Sequence, residues 1–412
     1  MLRRLSVKGF KSLADVEVDF PRLTVFFGPN AAGKSNLFDA IQALSRIGTS
    51  RTIADALSEP IRGYPIESFA FSQGGLAQLL SSEKAEFTLG ADLSVRRERY
   101  RYQITVEIQP ASGSLTVRHE YLTSIAANGD AKGAATIETV GDQIRIRRKG
   151  KAARPREEPG KSNYAVLSDP RLAGPYYASI EKCRAELSVW RTYYLDPRIA
   201  MRIAKPPADV RDIGVLGEDI APFLYRLRAE NPPRHFDAVK RTLRSLIPSV
   251  EDLTVDLDKR RGTLDIQVRQ DGIDFSSRII SEGTLRVLAL CSIAVNPWSG
   301  GLLAFEEPEN GVHPRRIELI AQLLTSLALD QGRQVIVTTH SPLFCDAVLK
   351  QAISREYGVS LFNVKRGPNG TEVREFGAVG PLFQDDQIRT SLAAGTEEGL
   401  FESLMLKGMF NE

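Results

Sequence analysis

The chain has 412 residues and a formal net charge of +3, with 42% hydrophobic and 25% charged residues. This length exceeds that of one single-core domain, so we expect two lobes or a large insertion. The small net charge excludes a global electrostatic field for nucleic acid, so any such contact would need a local basic patch.

Apolar stretches and cysteines indicate an ordinary cytoplasmic protein without a membrane partner. No apolar run reaches the roughly 20 residues of a membrane-spanning helix, and the basic N-terminus lacks the apolar stretch of a secretory signal. The three cysteines, Cys183, Cys291 and Cys345, are far apart and form no metal or redox spacing. We expect Cys291 and Cys345 in the core.

The N-terminal residues predict two strands, a buried third strand and a phosphate loop. The alternating pattern breaks at Gly9 and resumes before Pro21, and the apolar run Leu23 to Phe27 follows. The next residues, GPNAAGKSN, match G-x-x-x-x-G-K-[ST], the pattern of a phosphate-binding loop. Its glycines let backbone N–H groups converge on phosphate oxygens at the positive end of a helix, which the apolar spacing of residues 35 to 44 predicts.

Lys34 and Ser35 are the residues of this loop that we expect to contact the phosphates and the metal ion. Lys34 would neutralise the β- and γ-phosphates, and Ser35 would bind Mg²⁺. Because kinases, GTPases, helicases, transporters and DNA-repair ATPases share the motif, it predicts only a P-loop NTPase.

The middle of the chain changes character twice. Residues 85 to 125 contain alternating runs separated by turn residues, which predict an antiparallel sheet. Residues 145 to 156, RIRRKGKAARPR, carry seven basic residues and no acid. They are typical of a solvated, partly disordered hairpin tip, but they also fit a contact to DNA phosphates. Residues 177 to 250 are mainly helical in pattern, and helices and strands then alternate as in an α/β core.

Residues 301 to 314, GLLAFEEPENGVHP, place two acids at the end of a short apolar strand. Adjacent carboxylates repel each other there unless a cation is near, and the chain also contains a phosphate loop. Glu306 can reach the hydration shell of Mg²⁺, and Glu307 can polarise the attacking water. The alternative is an acidic turn at the surface.

Two further motifs narrow the prediction. The apolar strand RQVIVTTHSP ends in His340. Ligands of parallel sheets bind outside the carboxyl ends of strands, so this imidazole can contact a γ-phosphate, although a lone histidine is often structural. SEGT, at 281 to 284, opens an apolar helix with Ser281 as its natural N-cap.

In their order, these motifs resemble those of ABC-type ATPases. The details KGFKSL, GPNAAGKSN, SEGTLRVLAL, EEPENGVHP and TTHSP are similar to the RecF/SMC-like branch, especially compact ATPases related to the OLD nucleases but without a Toprim domain. The resemblance covers about residues 1 to 90 and 245 to 375. It implies an α/β fold, namely an ABC-type P-loop ATPase head with an antiparallel β lobe and a mixed, partly helical insertion.

The resemblance also implies roles for residues and a homodimer. Glu306 would act at Mg²⁺, Glu307 as catalytic base, and His340 at the γ-phosphate. Ser281 and Gly283 would complete the ATP site of a second subunit, so two copies would sandwich two ATP molecules. The predicted ATP-binding residues of the phosphate loop are Gly28, Pro29, Asn30, Ala31, Ala32, Gly33, Lys34, Ser35 and Asn36.

Two departures from the family pattern affect these roles. Glu306 stands where many ABC proteins have Asp, a longer reach that would act on Mg²⁺ through water. SEGT replaces the S-G-G-Q of transporters, which leaves the role of Thr284 open. For the glutamine expected near the metal and the attacking water, the candidate is Gln73 in FAFSQGG.

Composition and motifs divide the chain into four predicted segments. Residues 1–125 hold the phosphate loop and the antiparallel lobe, and 126–245 form an insertion with the basic loop and helices. Residues 246–375 hold the signature, the paired acids and His340, and 376–412 are a C-terminal extension.

Four functions compete. The favoured one is an ATPase that switches an assembly with DNA or with a nuclease or toxin effector, in DNA repair or antiphage defence. A transporter ATPase subunit is disfavoured by the insertion and the RecF-like signature. A fused Toprim nuclease has no room after His340, so a nuclease would act in trans. A small-molecule kinase would need neither the signature nor His340.

Overall fold

The computed structural model describes residues 1–71, 74–150, 154–353 and 358–376. Gln73 and Lys151, together with most of the predicted C-terminal extension, lie outside the described residues. The strands, numbered in chain order, are β1 Leu2–Phe10, β2 Leu13–Asp19, β3 Leu23–Phe27, β4 Ala85–Val95, β5 Glu98–Gln109, β6 Ser114–Ser124, β7 Ile137–Val140, β8 Gln143–Ile146, β9 Arg156–Pro159, β10 Arg191–Tyr193, β11 Val250–Asp258, β12 Thr263–Gln270, β13 Ile273–Ser276, β14 Leu302–Glu306, β15 Gln334–Thr339, β16 Val359–Gly367 and β17 Gly370–Phe376.

Helices alternate with these strands. The α-helices are α1 Lys34–Ile47, α2 Ile53–Ala56, α3 Gly75–Ser81, α4 Ala178–Ser188, α5 Ile220–Arg228, α6 Arg234–Leu246, α7 Glu282–Val295, α8 Pro314–Leu329 and α9 Pro342–Ile353. Short 3₁₀ helices occur at Pro65–Ser68, Val166–Ser168, Pro175–Tyr177 and Ala200–Arg202. Among the described residues, no helix combines the length and the apolar character needed to cross a membrane.

The described residues form two compact units, each discontinuous in sequence. The first comprises Met1–Pro21, Gly28–Trp190 and Phe362–Glu375, and the second comprises Arg22–Phe27 and Arg191–Leu361 with Phe376. The four-segment division made from the sequence remains a prediction.

The first unit is built on an eight-stranded antiparallel sheet of order β2-β1-β4-β5-β6-β7-β8-β9. The antiparallel sheet predicted over residues 85 to 125 is confirmed as β4 to β6. Buried and less buried residues alternate along β5, as expected for strands with one face against a core. The sheet extends beyond the predicted residues, because β7, β8 and β9 continue it within the segment predicted as an insertion.

The N-terminal hairpin also differs from the prediction at one glycine. β1 does not break at Gly9 but continues to Phe10, and the turn lies at Lys11 and Ser12. Gly9 has a φ of +70°, and a Cβ there would lie 2.8 Å from the carbonyl oxygen of Glu86. Glycine is therefore needed for the close approach of β4, which a pattern of breaks cannot reveal.

The second unit contains the strands that predicted motifs follow. β10, β14, β15 and β3 are neighbouring parallel strands in a six-stranded sheet of order β10-β14-β15-β3-β16-β17. Every residue of β3 and β15 is buried, which explains why most of their side chains are apolar. A separate antiparallel sheet, β11-β12-β13, confirms the strands predicted after residue 250. Cys183, Cys291 and Cys345 are buried and free, so the core positions predicted for the latter two are confirmed.

Candidate nucleotide site

The phosphate loop follows β3 directly and leads into α1. Gly28, Ala31 and Gly33 have φ values of +148°, +62° and +106°. A Cβ at Gly28 would collide with the carbonyl oxygen of Val364, and one at Gly33 with the hydroxyl of Thr371. The two motif glycines are therefore required both by conformation and by close packing, a reason separate from the phosphate contact that the sequence pattern predicts.

The N-terminal end of α1 has the electrostatic character of an anion site. Gly33 is its N-cap and supplies no side-chain cap, and the first turn contains no acid. The Lys34 side chain is buried, and its Nζ donates to the carbonyl oxygens of Gly28 at 2.7 Å and Pro29 at 2.9 Å. A close-packed backbone, a helix N-terminus and a buried cation fit a phosphate group.

Three parallel strands of the second unit end at one edge of the sheet. Glu306, the last residue of β14, pairs with Thr338 of β15, and Thr339 pairs with Phe27, the last residue of β3. The acids, His340 and the residue that enters the phosphate loop therefore follow neighbouring strand ends. Bound ligands occupy this kind of edge in parallel sheets.

Glu307 and His340 are in contact. His340 Nδ1 lies 3.1 Å from Glu307 Oε1. Glu307 has a φ of +45°, a conformation that is unusual for a residue with a side chain. Its N–H donates to the carbonyl oxygen of Thr338 at 3.0 Å, which fixes the turn after β14 against β15. Such backbone outliers persist where surrounding contacts hold them.

A buried acid that the sequence did not single out connects the two strand ends. Glu309 is 4% exposed, and Thr339 Oγ1 donates to its Oε1. The same Thr339 oxygen accepts from the N–H of Ser341 at 2.9 Å, so Glu309 braces the turn that carries His340. Burial raises the pKa of Glu309. In the sequence, Glu309 is the third acid of EEPEN, but only the adjacent pair before it was assigned a role.

The signature segment, SEGT at residues 281–284, begins α7 as predicted. Ser281 Oγ accepts from the N–H of Thr284 at 3.1 Å, which confirms Ser281 as N-cap. Ser281 is exposed, whereas a Cβ at Gly283 would lie only 2.7 Å from the carbonyl oxygen of Gly311. Arg286, one turn further along α7, places Nη1 3.5 Å from the carbonyl oxygen of Glu307, and burial lowers the pKa of this arginine. The signature helix thus also contacts the backbone of the candidate catalytic base.

The basic stretch belongs to a hairpin, as predicted, but many of its charges are neutralised. Arg145 lies in β8 and Arg156 in β9, which pair as antiparallel strands, and Arg147, Arg148 and Lys149 follow β8. Four of the basic side chains are paired with carboxylates of the first unit, namely Arg145 with Glu157 at 3.5 Å, Arg147 with Glu138 at 2.8 Å, Lys149 with Glu98 at 3.8 Å, and Arg156 with Glu158. These pairs lower the local positive charge that DNA phosphates would meet.

Sequence comparison finds one matching family model and short matches to two named bacterial proteins. A family model described as "AAA domain, putative AbiEii toxin, Type IV TA system" matches residues 23–346. The chromosome partition protein Smc of Bacillus subtilis (strain 168) is 32% identical over 112 residues, 24% of this chain and 9% of that protein. The DNA replication and repair protein RecF of Streptococcus pneumoniae (strain CGSP14) is 42% identical over 55 residues, 13% of this chain and 15% of that protein. The chain therefore spans only a small part of these relatives.

Comparison with solved structures confirms the predicted fold class. A crystal structure of an Smc head bound to the C-winged helix domain of ScpA covers 93% of this chain and 99% of its own, with a TM-score of 0.53 and 15% identity. At this identity the likeness concerns the fold alone. The α/β, ABC-type head with an antiparallel lobe, and the resemblance to RecF and SMC proteins, are thus both confirmed.

Proposed function

The chain belongs to the AAA-domain family whose model it matches, and on this basis we propose that it binds ATP with Mg²⁺ and hydrolyses ATP to ADP and phosphate. The observation that carries the proposal is the contact between Glu307 and His340 at the sheet edge where β3 runs into the phosphate loop. A carboxylate beside an imidazole at such an edge can hold and orient a water molecule for attack.

Each residue has a separate task in this proposal. Lys34 would neutralise phosphate charge, and Ser35 through its hydroxyl and Glu306 through water would hold Mg²⁺, which prefers oxygen ligands. When bound, the metal ion reduces the negative charge on the phosphates. Glu307 accepts a proton from the attacking water, and His340 orients Glu307 and contacts the γ-phosphate.

The same proposal makes ATP part of an interface between two copies of the chain. Ser281 and Gly283 form the start of α7, and Ser281 is exposed, so this helix N-terminus can meet a phosphate held by a second subunit. ATP then joins the two subunits, and its hydrolysis weakens the dimer. The output is a population shift between dimer and monomer rather than a modified substrate.

For the process that the switch serves, we propose a complex with DNA or with a nuclease or toxin effector. The relatives are named for chromosome partition and for DNA replication and repair, and the family description names a toxin system. DNA repair and antiphage defence both fit this set. A transporter-like ABC assembly is the alternative, and activation of hydrolysis by DNA rather than by a membrane protein would distinguish the two.

Replacing Lys34 with alanine is expected to abolish ATP binding at ordinary concentrations. Loss of this charge-assisted contact costs about 2 to 4 kcal/mol. Titration calorimetry with ATP measures the change, and Lys8→Ala, at an exposed lysine of β1, is the matched control. An affinity within twofold of the wild-type value in Lys34→Ala would contradict the assignment. A separate measurement concerns the small-molecule kinase considered above. If the wild-type chain releases phosphate and no phosphorylated acceptor forms, that function is excluded.

The proposed DNA contact has its own test in the basic stretch. Replacing Arg147, Arg148, Lys149 and Lys151 together with alanine should reduce the salt slope of DNA binding by up to about 4 units, since each neutralised phosphate contributes about 0.9. Because Arg147 and Lys149 already pair with carboxylates, we expect a value in the lower half of this range.

The slope is read from DNA affinity over a series of salt concentrations. A triple alanine variant of residues 259 to 261, the basic turn between β11 and β12, controls for general loss of charge. If the quadruple variant keeps the wild-type slope, residues 145 to 156 do not touch DNA.

A further inference from the structure

A series of three hydrogen bonds joins the phosphate loop to the turn between β1 and β2 and to the start of β17. Asn36 Nδ2 donates to Ser12 Oγ at 2.7 Å, and the hydroxyls of Ser12 and Thr371 lie 2.6 Å apart. Thr371 Oγ1 in turn donates to the carbonyl oxygen of Ala32 at 3.0 Å. Ser12 and Thr371 are 359 positions apart in sequence, and neither belongs to the phosphate loop itself.

The groups at the two ends of this series of hydrogen bonds determine which atom donates and which accepts in each of them. The amide nitrogen of Asn36 can only donate and the carbonyl oxygen of Ala32 can only accept. The Ser12 hydroxyl must therefore donate to Thr371, and each hydroxyl accepts one hydrogen bond and donates one. Thr371 is 6% exposed, so water cannot readily replace a missing partner.

Backbone contacts seat Thr371 against the loop. Its N–H donates to the carbonyl oxygen of Ser12 at 2.8 Å. The preceding Gly370 has a φ of +127°, and a Cβ there would lie 2.5 Å from the same oxygen, so the approach depends on glycine. On its other side, the Thr371 hydroxyl lies where a Cβ of Gly33 would be. The start of β17 therefore forms a wall of the phosphate loop.

The bond to Ala32 determines how the phosphate loop presents its backbone. In a planar trans peptide, the carbonyl of Ala32 and the N–H of Gly33 point in opposite directions. A hydroxyl that holds this carbonyl on the Thr371 side therefore turns the N–H of Gly33 away from Thr371. Ala31, just before this peptide, has a φ of +62°, a conformation that a residue with a side chain keeps only where surrounding contacts hold it.

We propose that Ser12 and Thr371 are positioning residues for the nucleotide, and that they hold the Ala32–Gly33 peptide with its N–H turned toward bound phosphate. This inference rests on the proposed function, because it assumes that the loop binds ATP. It adds two residues that no role was assigned to from the sequence, and it gives β17 a role in nucleotide affinity.

The test compares four variants in equilibrium binding of a ribose-labelled fluorescent ATP. Thr371→Val keeps the branched shape but removes the hydroxyl, and it should weaken binding about tenfold. Thr371→Ser keeps the hydroxyl and should bind within about twofold of wild type. Ser12→Ala should weaken binding less than tenfold, and adding it to Thr371→Val should cause little further loss, because members of one network are not additive.

A matched control separates positioning from a general loss of stability. Thr105→Val removes an equivalent hydroxyl contact, to Thr88 at 2.9 Å, between strands β4 and β5. It should leave ATP affinity unchanged. Thr371→Val should also weaken competition by inorganic tripolyphosphate by the same factor as ATP, because the lost contact serves the phosphates, and its melting temperature without nucleotide should match that of Thr105→Val.

The remaining results would contradict either the positioning role or the proposed function. If Thr371→Val binds ATP within twofold of wild type, the positioning role is wrong while the proposed function stands. The positioning role is also wrong if Thr371→Ser binds as weakly as Thr371→Val, or if Thr105→Val loses as much affinity. If the wild-type chain binds neither ATP nor tripolyphosphate, the proposed function fails and this inference fails with it.

Discussion

Replacing Glu307 with glutamine is expected to slow ATP hydrolysis about a hundredfold or more without loss of ATP binding. Glutamine has the same shape but cannot accept a proton from the attacking water. Its amide oxygen can still accept from Nδ1 of His340, which lies 3.1 Å from the carboxylate in the native chain. The variant should therefore keep the local structure and accumulate as an ATP-bound dimer. Single-turnover phosphate release and light scattering with ATP measure the two effects.

Two other acids serve as controls for this experiment. Glu306→Gln should instead change the dependence on Mg²⁺ concentration, because Glu306 is assigned to the metal. Glu318→Gln, at an exposed position of α8, should change neither hydrolysis nor dimerisation. If Glu306→Gln gives the trapped dimer and Glu307→Gln loses its response to Mg²⁺, the two roles must be exchanged.

The elements around the candidate site could be predicted because their signals are local in sequence. A buried strand, a glycine-rich turn and a helix start follow one another between Leu23 and Ile47, and each has its own short pattern. The N-cap of Ser281 needs only the next three residues. The roles of Glu306, Glu307 and His340 remain predictions, although Glu307 and His340 do lie in contact.

The interactions that fix this geometry could not be predicted, because they join residues distant in sequence. Asp39 looks like a misplaced charge on the apolar face of α1, yet it is fully buried between Lys11, at 2.6 Å, and Arg62, at 2.9 Å. Ser12 lies in the family segment KGFKSL, but nothing in that segment or around Thr371 indicates that the two side chains meet. No periodicity or spacing rule relates such partners, so only the folded chain reveals them.

The errors in the fold have the same origin. The strands β7, β8 and β9 were not predicted because each has only four residues, too few for a clear periodic pattern, although two buried isoleucines alternate with polar residues along β8. The basic residues there were predicted to be solvated, but several of them form ion pairs with acids on neighbouring strands. Glu138 and Glu157 are examples, and they pair with Arg147 and Arg145.

Replacing Ser281 with arginine is expected to block hydrolysis while a single subunit still binds ATP almost normally. Ser281 is exposed at the start of α7, so a bulky cation there keeps the helix N-terminus away from a phosphate on a second subunit. The substitution also removes an N-cap, which costs about 1 kcal/mol of stability. Ser281→Ala removes the same cap without the bulk, so its hydrolysis rate shows how much of the effect comes from capping alone.

Mixing two inactive variants tests whether this contact is made across the dimer. In a heterodimer of Ser281→Arg and Lys34→Ala, one site carries both defects, and the other combines an intact Lys34 with an intact Ser281. Random pairing gives heterodimers for half of the dimers, so activity should return to up to about a quarter of the wild-type rate. Activity that stays at zero would mean that both sites must act together or that the contact is not made in trans. If Ser281→Arg alone hydrolyses ATP at the normal rate as a monomer, the dimer switch is wrong, and the phosphate loop serves a self-contained NTPase.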